Sequence, residues 1–257
     1  MFKKTFRDKL KIVGIPVIVL IVFFILWEWW ALVSDIPKFL LPRPLDILQE
    51  IFSKFGFFLR HLGITLQAAV IGFLIAVASS FILASLFVYS KKIEYAFYPY
   101  IIALKIAPVL ALAPFIILWL GIDLSSKIAI VVLVCFFPLL VNTIKGLQAI
   151  NQETFEVFKS FSASQWQVFQ KLRFPNSLPY IFPALKISFT LALTGAFVGE
   201  FIAGGNKGIG YVILYSTRTL ETTTALAGTT VIVLTGLVFF FTIDFLEKKV
   251  VYWQKVE

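Results

Sequence analysis

The sequence is nearly empty of the residues that hold transition metals or carry redox chemistry. One Cys, Cys135, excludes an intramolecular disulfide and any cysteine cluster. With one His, His61, few ligands remain for zinc, copper or haem iron. Charge is scarce too: 14% of the 257 residues are Asp, Glu, Lys or Arg, against roughly a quarter in a soluble domain. The phosphate-cradling pattern G-x-x-x-x-G-K-[ST] is missing; the lysine of the Gly-rich segment, Lys207 in GGNKGIG (Gly204 to Gly210), follows an apolar run rather than a strand, so the segment reads as a turn. No nucleophile neighbours His61 in sequence, and Cys135 lies within an apolar run, where thiols are inert packing. These absences describe a chain that is not an enzyme and holds no cofactor or metal of its own. If ATP is used, another subunit must hydrolyse it.

What the chain has is apolar side chain: 60% of residues are hydrophobic, with 29 Phe. One soluble core of this size could not hide so much, so the chain is an integral membrane protein. The runs are long and unbroken rather than alternating in ten-residue segments, which makes the spans helical and the fold all-α. Six spans are predicted, over 12–33, 62–89, 95–122, 128–144, 180–203 and 222–243. The first is a retained span rather than a signal peptide, because it exceeds an h-region and ends in Trp27, Trp29 and Trp30 without a cleavage site. Pro37, Pro42 and Pro44 make the following connection irregular, and a short amphipathic helix is expected from Asp46 to Arg60. Pro99, Pro108 and Pro114 predict a kinked or broken third span.

Six spans put both termini on one side. Lys and Arg on that side number 14, against 7 in the opposite loops, which include Lys127. The bias places both termini and residues 151–179 in the cytoplasm. The net charge of +9 is therefore mostly a topological signal, and nucleic-acid binding loses its support.

Residues 151–179, NQETFEVFKSFSASQWQVFQKLRFPNSLP, are polar-rich yet aromatic. On a straight helix Phe155, Phe158, Trp166 and Phe169 fall within an arc of roughly 80°. Glu153, Glu156, Lys159, Gln167, Gln170 and Lys171 lie opposite. Such a face is built to be covered by lipid, by the chain's own bundle or by a partner.

Ionisable residues inside spans each cost several kcal/mol unless they face a cavity or a partner. Lys105, ahead of Pro108, is the deepest; it either lines a water-filled path open to an anionic substrate or pairs with Glu200 or a carbonyl. Lys105, Pro108 and Glu200 are the candidate pathway residues. Glu28, Glu200 and Lys186 sit near span ends and read as structural, with Lys186 snorkelling to the cytoplasmic surface.

The aromatic segment resembles the EAA loop of permease subunits of binding-protein-dependent ABC importers, where E-A-A is followed after three residues by G and after nine more by I-x-L-P. Here Glu156-Val157-Phe158 stands at E-A-A, Ser162 at the glycine, followed by Ala163-Ser164, and Leu172-Arg173-Phe174-Pro175 at I-x-L-P. The likeness to the nitrate, sulfonate and taurine branch extends to Leu41-Pro42-Arg43-Pro44, to Gly121 beyond Leu118-Trp119-Leu120, to Phe136-Phe137-Pro138, and to Glu200 through Gly205. Ser162 departs from the family pattern: serine does not take φ > 0 cheaply, so a turn of another kind is expected there.

The resemblance implies a single permease domain over 1–257 with the type I ABC importer fold, spanning a bacterial plasma membrane and surrounded by lipid. It implies cytoplasmic ATPase subunits that bind ATP and Mg, an extracytoplasmic substrate-binding protein, and a second permease copy, most simply a homodimer. The coupling loop would use Phe155, Glu156, Phe158, Ser162, Ala163, Ser164, Trp166, Leu172 and Pro175. The implied cargo is a small nutrient of the sulfonate, taurine, nitrate or vitamin-precursor class. The competing classes are a membrane scaffold and an ion-gradient-driven carrier or channel, which would need inverted repeats and ionisable residues near the midplane, where the sequence displays no repeat and one deep charge, Lys105.

Overall fold

A computed structural model describes the backbone of residues 6–106, 109–203 and 205–253 and, within them, the side chains of 14–103, 111–203 and 205–253. The described residues form helices and connections, with no strand among them. In chain order the helices are α1 (Phe6–Val33), α2 (Pro44–Ser53), α3 (Phe55–Tyr89), α4 (Lys91–Ile106), α5 (Val109–Leu120), α6 (Leu124–Gln148), α7 (Gln152–Ser160) and α8 (Gln165–Val168). A π-helical turn (Phe169–Arg173) then leads into α9 (Phe174–Ala203), followed by α10 (Ile209–Arg218) and α11 (Thr222–Val250).

Among the described residues, five helical stretches are long and apolar enough to cross a bilayer: Gly14–Val33, Phe55–Tyr89, Leu124–Gln148, Gln165–Ala203 and Thr222–Val250. Of the third expected span the structure describes α4 and α5, on either side of residues 107–108; the kink or break expected at Pro108 lies outside the described residues. The expected helix from Asp46 to Arg60 is divided at Lys54, and its second half is the start of α3. The helix that holds the fifth expected span, α9, begins before that span, at Phe174. Helix continues through Pro175, Pro179 and Pro183; a proline in the first turn forfeits no hydrogen bond, and membrane helices tolerate interior prolines.

The chain forms two compact units. One runs to Leu59 and takes in Val212–Val231; the other holds Arg60–Tyr211 and the chain from Ile232. In the first, Arg43 is the organising residue. Its guanidinium donates two hydrogen bonds of 3.1 Å to the Asp46 carboxylate, and Glu28 of α1 lies 3.9 Å away. Glu28 also accepts the Leu45 N–H at 3.1 Å. The L-P-R-P segment thus fixes how the chain turns from α1 into α2: Arg43 is the extended residue before the helix, and Pro44 takes its first position. Glu50 accepts from Thr224 at 2.6 Å, tying α2 to the start of α11.

The second unit is built on the packing of α6 against α9 and α3. Ala68, Ala69 and Ala76 of α3, Val131, Cys135 and Leu139 of α6, and Ala192, Leu193 and Ala196 of α9 are buried together. Small residues dominate because, without a hydrophobic drive between helices in lipid, close backbone approach supplies the attraction. At Gly72 a Cβ would lie 2.6 Å from Val131 Cβ, and at Gly146 it would lie 2.9 Å from Ser177 Cα. Lys186 does not snorkel freely. It is clamped at 2.5 Å by both Asp244 and Glu247 of α11, which satisfy its charge where it stands.

Candidate coupling and pathway sites

The aromatic segment is not one straight helix. Asn151 caps α7, its side chain accepting the Glu153 N–H at 2.9 Å. The helix stops with Ser162 at φ +54. The Ser162 N–H donates to Lys159 O at 2.9 Å and the Ala163 N–H to Phe158 O at 3.1 Å. Those two bonds and a left-handed residue between them are the Schellman arrangement, which normally takes glycine. The expectation of a different turn is therefore wrong: Ser162 adopts the glycine conformation and bears its strain, because the two bonds over-determine it. Ser164 then starts α8 with a capping box, its hydroxyl accepting the Gln167 N–H at 3.2 Å and its own N–H donating to Gln167 Oε1 at 2.8 Å.

This break redistributes the aromatic stripe. Phe169 is buried (8% exposed), with Phe81 and Tyr89 at ring distances of 6.3 and 5.6 Å. Phe155 and Phe158 are half-buried. Trp166 is 63% exposed but stacks on Phe169 at 5.8 Å, so its ring is supported from behind. The most outward apolar side chain is one that the periodicity left out, Phe161, at 81% exposed. Val157 is exposed beside it in sequence, and Glu156 is exposed and bonded to Gln152 at 3.1 Å. Ala163, Leu172 and Pro175 are half-buried, with Pro175 in the first turn of α9.

The base of the loop is closed by two side chains that sequence reasoning did not single out as functional. Arg173 donates from Nη1 to Leu147 O at 2.8 Å, and Asn176 donates to Ala149 O. Both carbonyls belong to the end of α6, where helical partners have run out. The Arg173 guanidinium also sits 5.8 Å from the centre of the Phe155 ring.

Of the pathway candidates, the Lys105 side chain and Pro108 lie outside the described residues. Glu200 is described, and it holds a junction of helices. Its carboxylate is fully buried. It lies 2.9 and 3.0 Å from the Thr65 hydroxyl of α3, which donates to it. It accepts the Gly210 N–H at 2.9 Å and has Lys127 Nζ of α6 at 4.0 Å. The Ile209 N–H donates to Thr65 Oγ1 at 2.9 Å, and the Gly208 N–H donates to His61 Nδ1 at 3.1 Å. The donors at the start of α10, which have no partner within the helix, are thus met in succession by His61, Thr65 and Glu200, with the carboxylate at the positive end of the helix. Lys127 was expected among loop charges; it is instead buried in the first turn of α6 and is the cation nearest Glu200 among the described residues. The Gly-rich segment explains itself here as a close approach of backbone to carboxylate rather than a nucleotide loop.

Residues 70–252 match the family described as binding-protein-dependent transport system inner membrane component. The chain is 33% identical to the formylaminopyrimidine transport permease protein ThiX of Halalkalibacterium halodurans, over 93% of this chain and 96% of that one. It is 31% identical to the riboflavin transport system permease protein RibX of Chloroflexus aurantiacus, over 94% and 90%. In fold it is similar to a chain in the crystal structure of an amino acid ABC transporter with histidines, with a TM-score of 0.62, 17% identity, and coverage of 79% of this chain and 97% of that one.

Proposed function

This chain belongs to the family of binding-protein-dependent transport system inner membrane components, and from that premise we propose that α7, α8 and the turn between them are the surface through which a separate ATPase moves the membrane helices. The chain is a multi-pass permease subunit of an ATP-driven importer, not an enzyme, and its family works with an ATPase and a substrate-binding protein. The observation that carries the coupling proposal is the exposure of Phe161 and Trp166 on a short, doubly capped structure. Aromatic side chains held on rigid helices can seat in a pocket and transmit a rigid-body displacement, which flexible polar contacts would dissipate. Glu156, Phe155, Phe158, Ser162, Ala163, Ser164, Leu172 and Pro175 shape and support that surface.

In this reading ATP and Mg are bound by the ATPase, in the cytoplasm, on the side of both permease termini. The charge bias of the loops supports that orientation. One permease domain offers too few spans to enclose a pathway alone, so two copies form it. Relatives above 30% identity are named for formylaminopyrimidine and riboflavin, which favours a vitamin precursor with a nitrogen heterocycle over a sulfonate, taurine or nitrate. Glu200 holds the helices that border the pathway instead of touching the cargo.

The test is retention of the ATPase on purification from membranes. Phe161→Asp and Trp166→Asp should each release it while membrane insertion stays intact. Retention by both variants would overturn the docking role. Mass spectrometry of the ligand carried by the associated binding protein then decides the substrate class, and a sulfonate or nitrate there would overturn the heterocycle.

A further inference from the structure

A lysine or arginine where a loop meets a membrane span ordinarily needs no explanation beyond topology, since a long cationic side chain reaches water and stays there. Arg173 does something else. It is half-buried, and its Nη1 is bonded at 2.8 Å to the carbonyl of Leu147, the penultimate residue of α6. The same guanidinium lies over the Phe155 ring of α7 at 5.8 Å. Its own backbone closes the π-helical turn that opens into α9. One side chain therefore joins the helix before the loop, the first helix of the loop and the helix after it.

We propose that Arg173 is the positioning residue that locks the coupling loop to α6 and α9, so that a displacement applied at Phe161 and Trp166 reaches both spans together. The inference rests on the docking role proposed above and adds what that role lacks, a reason why the loop does not fold back when pushed. Chain leaves α6 at Gln148, and α7 (Gln152–Ser160) is joined to α6 and to α8 only through the non-helical residues 149–151 and 161–164; without a clasp at the base, α7 would hinge at those connections. The guanidinium suits the position because its planar fork can donate in one direction while its face covers an aromatic ring, which an ammonium does less well. Asn176, bonded to Ala149 O, is the second point of the clasp and keeps the base from opening wholly when Arg173 is changed.

The experiment measures rigidity directly and needs no substrate. Spin labels are placed at Lys145→Cys on α6 and Ser160→Cys on α7, both exposed positions, in a Cys135→Ser background. Pulsed electron paramagnetic resonance reads the distance in the permease purified with its ATPase, before and after trapping with MgATP and vanadate. With Arg173 present, one narrow distance is expected that does not change on trapping. Arg173→Gln should lose the single narrow distance, and trapping should shift it. Arg173→Lys, which keeps the charge and the topology signal, should show the same loss in weaker form. An unchanged, narrow distance in both variants would overturn the clasp while leaving docking intact. A wild-type permease that retains no ATPase would instead overturn docking, and the distance in the permease alone would still decide the clasp. Should Arg173→Gln fail to assemble, the lysine variant and Phe155→Leu, which removes the ring but not the carbonyl bond, carry the test, and a wild-type distance in both overturns it.

Discussion

Gly208 and Glu200 stand so close that each dictates the other's identity: a Cβ on Gly208 would lie 2.1 Å from the Glu200 carboxyl carbon. Gly208 also sits at φ +105, where any L side chain is strained. Gly208→Ala should therefore displace the carboxylate and break the run of hydrogen bonds that His61, Thr65 and Glu200 accept from the N–H groups of Gly208, Ile209 and Gly210. The backbone strain alone costs about 1–2 kcal/mol, and loss of the carboxylate's partners adds to it. A fall in the melting temperature of the detergent-purified permease, together with faster protease cleavage near residues 205–208, is the expected result. A variant that melts and cleaves like wild type would show that the carboxylate has room to move.

The same carboxylate sets a second expectation. Glu200→Ala leaves Lys127 and the Gly210 N–H without their partner in a buried setting, so it should destabilise by about 3–5 kcal/mol. Lys127→Met leaves the carboxylate its two remaining donors, the Thr65 hydroxyl and the Gly210 N–H, and should cost less. Replacing both, as Glu200→Ala with Lys127→Met, should cost less than the sum of the single changes, since neither charge is then stranded. Thermal melts of the four proteins close the cycle; strict additivity would mean that the 4.0 Å pair carries no coupling.

The apolar runs located the membrane helices because bilayer-length hydrophobicity is a compositional signal that tertiary packing does not override. The E-x-x and L-x-F-P spacing likewise marked out the segment that folds as α7, the turn at Ser162 and α8. Ends and directions were not legible. Pro179 reads as a boundary, yet α9 passes through it, since a proline's cost depends on which carbonyl it frees and what stands near. Lys127 reads as a loop charge, because nothing in sequence says that the first turn of α6 faces Glu200. Phe161 falls outside the aromatic arc because that arc assumes a straight helix, and the turn at Ser162 redirects everything around it. Arg173 occupies an unspecified position within the motif, and its role depends on the end of α6 far away in sequence.

Acid should unfasten the turn from α1 into α2 within a defined window. The Arg43 guanidinium, bonded twice to Asp46, with Lys38 at 3.2 Å, outweighs desolvation and holds the carboxyl down at about 2. Its neighbour Glu50 is also held low, where bonds from Lys54 and Thr224 outweigh the upward push of burial. A carboxyl lowered by folding contributes stability that is complete above its unfolded value, about 4, and is lost as pH falls through the folded value. Asp46→Asn should thus be less stable than wild type at neutral pH, and the difference should close between about pH 4 and pH 2. Melting temperatures of both proteins across that range check it; a constant difference would mean that the Arg43 pairing contributes nothing to folding.

Ser162→Gly asks whether the strain in the turn between α7 and α8 is structural accident or working part. Serine in the left-handed region costs about 1–2 kcal/mol relative to glycine. Glycine returns about 0.4–1 kcal/mol of that through the greater freedom of the unfolded chain. The net expectation is a gain of about 0.5–1 kcal/mol, with both turn bonds kept, since they come from backbone groups. Ser162→Val should move the other way, because a β-branched side chain tolerates φ +54 least, and should loosen Phe161 and Trp166 together. Melting of the permease and retention of its ATPase are then compared across glycine, serine and valine. If stability rises with glycine while ATPase retention stays level, the strain has no part in docking. If retention falls as stability rises, the serine is tuning how readily the loop lets go.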